Sequence, residues 1–212
     1  METFTPRASD ALIVVDMQYD FMPGGALAVG EGDAIVPLVN RLAAKFAHVV
    51  LTQDWHPPGH ASFASSHQGA KPFDTIRLSY GEQVLWPDHC VQKSRGAELH
   101  HGLDIGHAIL VLRKGVNKEV DSYSAFVEAD GRSKTGLAGY LRERGIDRVF
   151  LCGLATDYCV AFSALDARAA GFAALVVDDA CRAIDMAGSL AAAWAKMEAA
   201  GVTRVGSDQI GG

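Results

Sequence analysis

The stretch RVFLCGLATDYCVAFSALDARAAGFAALVV, residues 148–177, places two apolar, β-branched runs on either side of a helical segment. Arg148–Cys152 and Ala173–Val177 predict buried strands, and Thr156–Ala170 predicts a helix that ends at Gly171. Both runs are hydrophobic almost throughout, which is typical of parallel strands covered on both faces. The stretch therefore indicates a strand–helix–strand unit of an α/β protein.

The same rhythm continues along the rest of the chain. It predicts further strands at Ala11–Val15, His48–Thr52, Ala108–Leu112 and Val202–Val205, and further helices at Asp33–Phe46, Ser133–Arg144 and Ser189–Ala200. Asp33 is a good N-cap residue for its helix. We therefore expect one domain over residues 1–212, an α/β three-layer sandwich on a mostly parallel sheet of about six strands with helices on both faces.

Composition restricts the class of protein. The chain has 212 residues, of which 49% are hydrophobic and 21% charged, as in a soluble globular domain. Its net charge of −6 disfavours binding to nucleic acid or to anionic membranes, since both need basic patches. No secretory signal or membrane-spanning apolar run is visible, so we expect a cytoplasmic protein. Its four cysteines lack CxxC spacing and are expected to be free thiols.

Two irregular segments interrupt the strands and helices. Residues 54–106 are rich in Pro, Gly, His and Ser, and an insertion of that size is usually functional, so we expect it to bind metal and substrate. The glycine-rich segment from Met22 to Gly32 has neither the dinucleotide-binding pattern nor the Walker pattern. We interpret it as a hairpin-like lid.

Four chemically active side chains follow four of the predicted strands. Asp16 ends the first strand, Asp54 the second and Lys114 the third, and Cys159 lies in the first turn of the helix after the fourth. Ligand sites of open α/β sheets lie outside the carboxyl ends of the strands, so these groups are expected at one edge. Two acids, a base and a thiol at that edge indicate a catalytic site.

Cys159 is the candidate nucleophile. A helix start supplies free N–H groups and the positive end of the helix dipole, which favour a thiolate, and Lys114 would favour it further. Asp16 could take the thiol proton and later deliver it to a leaving amine. The sequence leaves open that Cys159 is only a small buried hydrophobe, and it predicts core positions for Cys152 and Cys181.

The insertion opens with Asp54-Trp55-His56, and alternate side chains of an extended segment point the same way. Asp54 and His56 can therefore share a divalent metal ion, with His89 as a third ligand. This set suits zinc, with iron and manganese as alternatives, and leaves positions for water. His60 could be a further ligand or could support the others, whereas His67 is expected to be solvated.

Loops at this edge also carry aromatic side chains, namely Phe21, Trp55, Trp86 and Tyr123. Such rings could sandwich a flat substrate. They could equally anchor the loops, and the sequence leaves both roles open.

Five motifs occur in order along nearly the whole chain. They are Ala11-Leu-Ile-Val-Val-Asp16-Met-Gln-Tyr-Asp20-Phe21, Thr52-Gln-Asp54-Trp-His56-Pro-Pro-Gly-His60-Ala-Ser-Phe63, Trp86-Pro-Asp-His89-Cys90, Arg113-Lys114-Gly115 with Asp121-Ser-Tyr123-Ser-Ala-Phe126, and Gly153-Leu-Ala-Thr-Asp-Tyr-Cys159-Val. In this order they resemble the nicotinamidase/pyrazinamidase branch of the isochorismatase-like cysteine hydrolases. The resemblance implies the isochorismatase-like hydrolase fold. It also implies hydrolysis of nicotinamide to nicotinate and ammonia, and of pyrazinamide to pyrazinoate, through a cysteine thioester in NAD salvage.

The resemblance also implies roles for individual residues. The implied triad is Asp16, Lys114 and Cys159, and the implied metal ligands are Asp54, His56 and His89. The implied oxyanion hole is the backbone N–H of Ala155 and of Cys159, next to a cis peptide between Leu154 and Ala155. The implied ring pocket is Phe21, Leu27, Trp86, Tyr123 and Tyr158, with the substrate's ring nitrogen on the metal.

Three rival interpretations stay open. The protein could be a sister amidase for another small amide or carbamoyl compound, a catalytically silent family member, or a structural zinc protein with an incidental thiol. Removing the metal should unfold a structural zinc protein, but should mostly cost activity in a metal-assisted enzyme. If the protein is an enzyme, whether it acts on nicotinamide or on another amide, we expect a small-molecule substrate. The sequence leaves open whether the protein forms a homo-oligomer.

Overall fold

The structure is a computed structural model that describes residues 3–211. The strands are β1 (Asp10–Val15), β2 (His48–Asp54), β3 (Thr75–Leu78), β4 (Gly81–Val84), β5 (Leu110–Lys114), β6 (Arg148–Leu154), β7 (Ala173–Arg182) and β8 (Thr203–Val205). The α-helices are α1 (Val36–Ala43), α2 (Leu137–Glu143), α3 (Ala161–Ala169) and α4 (Ser189–Ala199). Short 3₁₀ turns lie at Tyr19–Phe21, Ala64–Ser66 and Ser207–Gln209, and a π-helical turn at Thr156–Val160 leads into α3.

Six strands form the main sheet in the order β5-β2-β1-β6-β7-β8, and each neighbouring pair is parallel. From β1 the chain moves outward through β2 to β5, and it then crosses back to β6 and moves on to β8. Right-handed connections therefore place α1 on one face and α2, α3 and α4 on the other. The predicted α/β sandwich with a parallel sheet of six strands is confirmed.

The burial of β1, in the middle of the sheet, explains why its sequence is almost entirely hydrophobic. Every side chain of β1 is buried, including the carboxylate of Asp10 at its first position. Asp10 Oδ2 accepts hydrogen bonds from Arg148 Nη2 at 2.6 Å and from the backbone N–H of Arg7 at 2.7 Å. Two arginines thus compensate the burial of the charge.

Several element boundaries differ from the prediction. β2 extends to Asp54, and β5 starts at Leu110 rather than at residue 108 and ends at Lys114. Both charged residues therefore lie inside strands, paired with each other across the sheet. The N-cap prediction at Asp33 is wrong, because α1 follows Ile35 and no side chain caps it.

The irregular segments also differ from the prediction. The insertion contains the β3–β4 hairpin, which the sequence patterns missed. The segment Met22–Gly32, predicted as a hairpin-like lid, contains no strands; it forms turns that bury Leu27 and Val29, and Leu27 lines the cavity described below. Within residues 3–211, no helix has the length and apolarity to cross a bilayer.

Candidate active site

The site lies where the sheet topology reverses, at the carboxyl ends of β1 and β6. Val15 pairs with Gly153 there. Gly153 has a φ of +114°, and a Cβ on it would lie 2.1 Å from the Val15 carbonyl oxygen, so this close approach requires glycine. Asp16 follows Val15, and Cys159 lies in the turn after β6. The two residues are thus brought together at the switch point.

Lys114 connects the charged groups of the site. Its fully buried Nζ donates to Asp54 Oδ1 at 2.7 Å, to the Ser122 carbonyl at 2.9 Å and to Cys159 Sγ at 3.4 Å. Asp16 Oδ2 lies 2.8 Å from the same Nζ in a buried ion pair. Lys114 therefore holds both carboxylates next to the thiol.

The pKa values of these groups follow from burial and from their mutual contacts. Burial would lower the pKa of Lys114, but Asp16 and Asp54 outweigh it and raise this pKa well above its ordinary value, so Lys114 stays charged. Burial would raise the pKa of Asp54, but Lys114 and His56 hold it well below its ordinary value. For Asp16, burial prevails over the opposing effect of Lys114 and raises the pKa.

The thiol differs from the expectation. Burial raises the pKa of Cys159 well above its ordinary value, and Asp16 and Asp54 add to this although Lys114 opposes it. In the resting site, burial and the two carboxylates therefore oppose the thiolate that the helix start and Lys114 favour. One carboxylate oxygen of Asp16, one of Asp54 and the sulfur of Cys159 lie within 4.8 Å of one another, so Asp16 is near enough to accept the thiol proton.

Asp54, His56 and His89 converge on one point beside this cluster. Nε2 of His56 lies 3.3 Å from Asp54 Oδ2, and Nε2 of His89 lies 3.6 Å from it. His56 Nδ1 lies 3.0 Å from the Gly115 carbonyl and His89 Nδ1 lies 2.8 Å from the Pro87 carbonyl, so each Nδ1 carries the proton and donates it. This tautomer leaves both Nε2 lone pairs free, and within residues 3–211 no hydrogen-bond donor meets the buried Nε2 of His56. The donor set fits a divalent metal ion.

His60 lies beside the ligand set with both ring nitrogens already engaged. Nδ1 lies 2.7 Å from Ser62 Oγ, and Nε2 lies 2.9 Å from the Asn117 carbonyl, which requires an N–H donor. The centroid of its ring lies 4.2 Å from the centroid of the His56 ring. This arrangement favours support of His56 over metal ligation. His67 was expected to be solvated, but it is half-buried and bonds to the Ala61 carbonyl.

A narrow cavity of about 20 Å³ opens beside the thiol and the ligand set. Its walls are Phe21, Leu27, Trp86, Tyr123 and Tyr158, together with Asp54, His89, Asp121, Ala155, Cys159 and Ile184. All five residues of the expected ring pocket thus meet at one place. A larger cleft of about 470 Å³ lies beyond Tyr123, but neither the thiol nor any residue of the ligand set lines it.

The turn after β6 shapes the base of this cavity. The peptide bond between Leu154 and Ala155 is cis, as predicted. The Asp157 carboxylate accepts hydrogen bonds from the backbone N–H groups of Ile184 at 3.0 Å and Asp185 at 2.8 Å. These bonds hold Ile184, which lines the cavity, against the turn.

Comparison with known proteins identifies the family. Residues 10–209 match the Isochorismatase domain. The chain belongs to the isochorismatase family. It is 58% identical over 200 residues to the nicotinamidase of Acinetobacter baylyi, with 94% of each chain covered. The solved nicotinamidase/pyrazinamidase of Acinetobacter baumannii matches with a TM-score of 0.94 and 55% identity, over 95% of this chain and 98% of that one. The pyrazinamidase of Pyrococcus horikoshii, solved in complex with zinc, matches with a TM-score of 0.77 and 38% identity, over 93% and 99% of the two chains.

Within this isochorismatase-family site, the sequence analysis missed two lining residues, Asp121 and Ile184. Asp121 stands in the motif with Tyr123, which was a signal, whereas nothing local marks Ile184 after β7. Trp55 anchors its loop instead of lining the cavity, since the Arg113 guanidinium stacks 3.9 Å from the centre of its ring.

Proposed function

We propose that this protein is a cytoplasmic amidohydrolase that converts nicotinamide to nicotinate and ammonia, and pyrazinamide to pyrazinoate, in NAD salvage. The observation that carries the proposal is the meeting of Asp16, Lys114 and Cys159 with a metal-ligand set at one aromatic-walled cavity. Relatives at 58% and 55% identity, each matched over nearly the whole chain, are named for this reaction.

The reaction begins with attack of the Cys159 thiol on the carboxamide carbon while Asp16 accepts the thiol proton. The S–C bond forms, and the carbonyl electron pair moves to the oxygen. Lys114 lies 3.4 Å from Sγ and stays charged, so it stabilises the sulfur as negative charge develops on it. The backbone N–H groups of Ala155 and Cys159 stabilise the oxyanion.

Collapse of the tetrahedral intermediate breaks the C–N bond. Asp16 gives its proton to the departing amine, ammonia leaves, and the acyl group remains on Cys159 as a thioester. Water then attacks the thioester with Asp16 as the base. The C–S bond breaks, Cys159 recovers a proton from Asp16, and the product leaves as nicotinic acid, which ionises to nicotinate in solution and gives its proton to the released ammonia. One carboxylate thus serves both half-reactions, which its raised pKa and its place beside Lys114 and Cys159 support.

We assign Asp54, His56 and His89 as ligands of one divalent metal ion, with zinc preferred and iron or manganese as alternatives. The free Nε2 lone pairs support this assignment, and so does the relative solved with zinc. When bound, such an ion supplies a Lewis acid for a ring nitrogen or for water. Asp54 also bonds to Lys114 at 2.7 Å, so one carboxylate belongs to both the metal-binding and the nucleophilic halves of the site.

The aromatic wall supports a flat substrate. The rings of Trp86 and Tyr158 meet at 87° with centroids 4.9 Å apart, and Trp86 Nε1 donates to the Tyr123 hydroxyl at 3.0 Å. Side chains held in this way can bind a rigid ring with little loss of entropy. The cavity has space for about one water molecule, so a ring enters only as a wall side chain moves.

Ammonia release from a panel of amides tests the proposal. We expect kcat/KM to be highest for nicotinamide, with pyrazinamide comparable or lower. Benzamide lacks a ring nitrogen and picolinamide has it in the wrong place, so both should be poor substrates. A simple carbamoyl compound that is turned over faster than nicotinamide would overturn the substrate assignment. If benzamide matched nicotinamide, the contact between metal and ring nitrogen would be wrong.

A further inference from the structure

Gln18 is a fully buried amide that the proposed reaction does not use. Its side chain bonds to the backbone of Asp54 at both ends. Oε1 accepts the N–H of Asp54 at 2.7 Å, and Nε2 donates to the carbonyl of Asp54 at 2.8 Å and to that of Ala97 at 2.9 Å. All three polar contacts of the amide are therefore with main-chain groups.

The sheet topology explains why Asp54 needs this partner. β1 is paired with β2 only as far as Val14 and Leu51, whereas β2 continues to Asp54. On its other side β2 stays paired with β5, through Asp54 and Lys114. After Val15 the β1 chain turns away, with Asp16 at a φ of +47°. Where β1 no longer pairs with β2, the Gln18 side-chain amide forms the hydrogen bonds that the N–H and C=O of Asp54 need.

This bonding fixes the residue on which both halves of the site depend. The Oδ2 atom of Asp54 lies 3.3 Å from His56 Nε2, and its Oδ1 atom lies 2.7 Å from Lys114 Nζ. We propose that Gln18 is a positioning residue that holds the Asp54 backbone so that its carboxylate reaches the metal and Lys114 together. The inference rests on the proposed metal site, and it assigns Gln18 a role through Asp54 with no contact to substrate.

The test compares Gln18→Met with Gln53→Met. Gln53 is a matched control because it is also buried, lies next to Asp54 in sequence, and donates to the same Ala97 carbonyl, at 2.7 Å. Its Oε1 atom accepts from Arg113, and its side chain makes no bond to the Asp54 backbone. Both variants lose a hydrogen bond to the Ala97 carbonyl, but only Gln18→Met also removes the hydrogen bonds to the Asp54 backbone.

Zinc affinity of the metal-free proteins is measured by competition with a chromogenic chelator, with thermal unfolding in parallel. We expect Gln18→Met to bind zinc roughly 10–100-fold more weakly than wild type, and Gln53→Met to bind like wild type. Comparable melting temperatures would show that lost stability is not the cause. If Gln18→Met does not fold, Gln18→Asn keeps an amide but is too short to reach Asp54, and the same loss of affinity is expected.

The possible failures are distinguishable. A wild-type protein that binds no zinc would overturn the proposed metal site and this inference with it. A wild type that binds zinc, with Gln18→Met equal to Gln53→Met, would overturn the positioning role alone and leave the metal site standing.

Discussion

Replacing Gly115 with alanine should weaken metal binding, because a methyl group there collides with a proposed ligand. Gly115 has a φ of +65°, and a Cβ on it would lie 2.4 Å from Cε1 and 2.6 Å from Nδ1 of His56. His56 is only 1% exposed, so its ring cannot swing into solvent. The Gly115 carbonyl also accepts the Nδ1–H of His56 at 3.0 Å, so the substitution disturbs the bond that orients the ring.

The size of the effect follows from two separate costs. A left-handed φ costs a residue with a Cβ about 1–2 kcal/mol, and this applies equally to Gly131, which has a φ of +69° and open space at its Cβ position. Only Gly115→Ala also pushes the His56 ring back, by about 1 Å, to reach an ordinary contact of 3.4 Å. Disturbing the support of a metal ligand costs roughly 10–100-fold in affinity, or about 1.4–2.8 kcal/mol.

The assay measures zinc affinity by chelator competition for wild type, Gly115→Ala and Gly131→Ala, with thermal unfolding of each metal-free protein. We expect both variants to lose stability, Gly115→Ala more because its methyl group also meets the buried His56 ring, and only Gly115→Ala to lose zinc affinity. The reasoning is refuted if folded Gly115→Ala keeps the wild-type affinity, or if Gly131→Ala loses as much.

Two further predictions concern the nucleophile and the buried charge of β1. Cys159→Ala should abolish ammonia release while calorimetry still detects nicotinamide binding, and substantial turnover would remove Cys159 from the mechanism. Asp10→Asn should cost about 1.5–3 kcal/mol in urea unfolding at pH 7, since it weakens the charge-assisted hydrogen bonds between the buried Asp10 carboxylate and Arg148. Burial would raise the pKa of Asp10, but Arg148 and Arg7 outweigh it and lower the pKa, so the carboxylate stabilises the fold above its ordinary pKa of about 3.9. That stabilisation is lost as the pH falls through the lowered pKa, so the difference between wild type and variant should shrink in acid, and a difference independent of pH would contradict this account.

The sheet and the main chemical groups of the site could be predicted from the sequence, because both are recorded in local patterns. A buried strand is a hydrophobic run, and the polar residue that closes it lies at the edge where ligands bind. This logic leads to Asp16, Asp54, Lys114 and Cys159 without knowledge of the fold. The ring pocket and the cis peptide at Ala155 came from the family resemblance instead, since no spacing rule indicates them.

Only the tertiary structure decided how these groups are oriented and charged. His60 stands as near in sequence to Asp54 as a ligand would, yet carbonyl and hydroxyl partners occupy its nitrogens. Cys159 sits at a helix start, yet burial beside two carboxylates raises its pKa. Gln18 bonds to the backbone of a residue 36 positions away. Hydrogen-bond direction and desolvation depend on segments that are distant in the chain and meet only in the fold, so no local pattern records them.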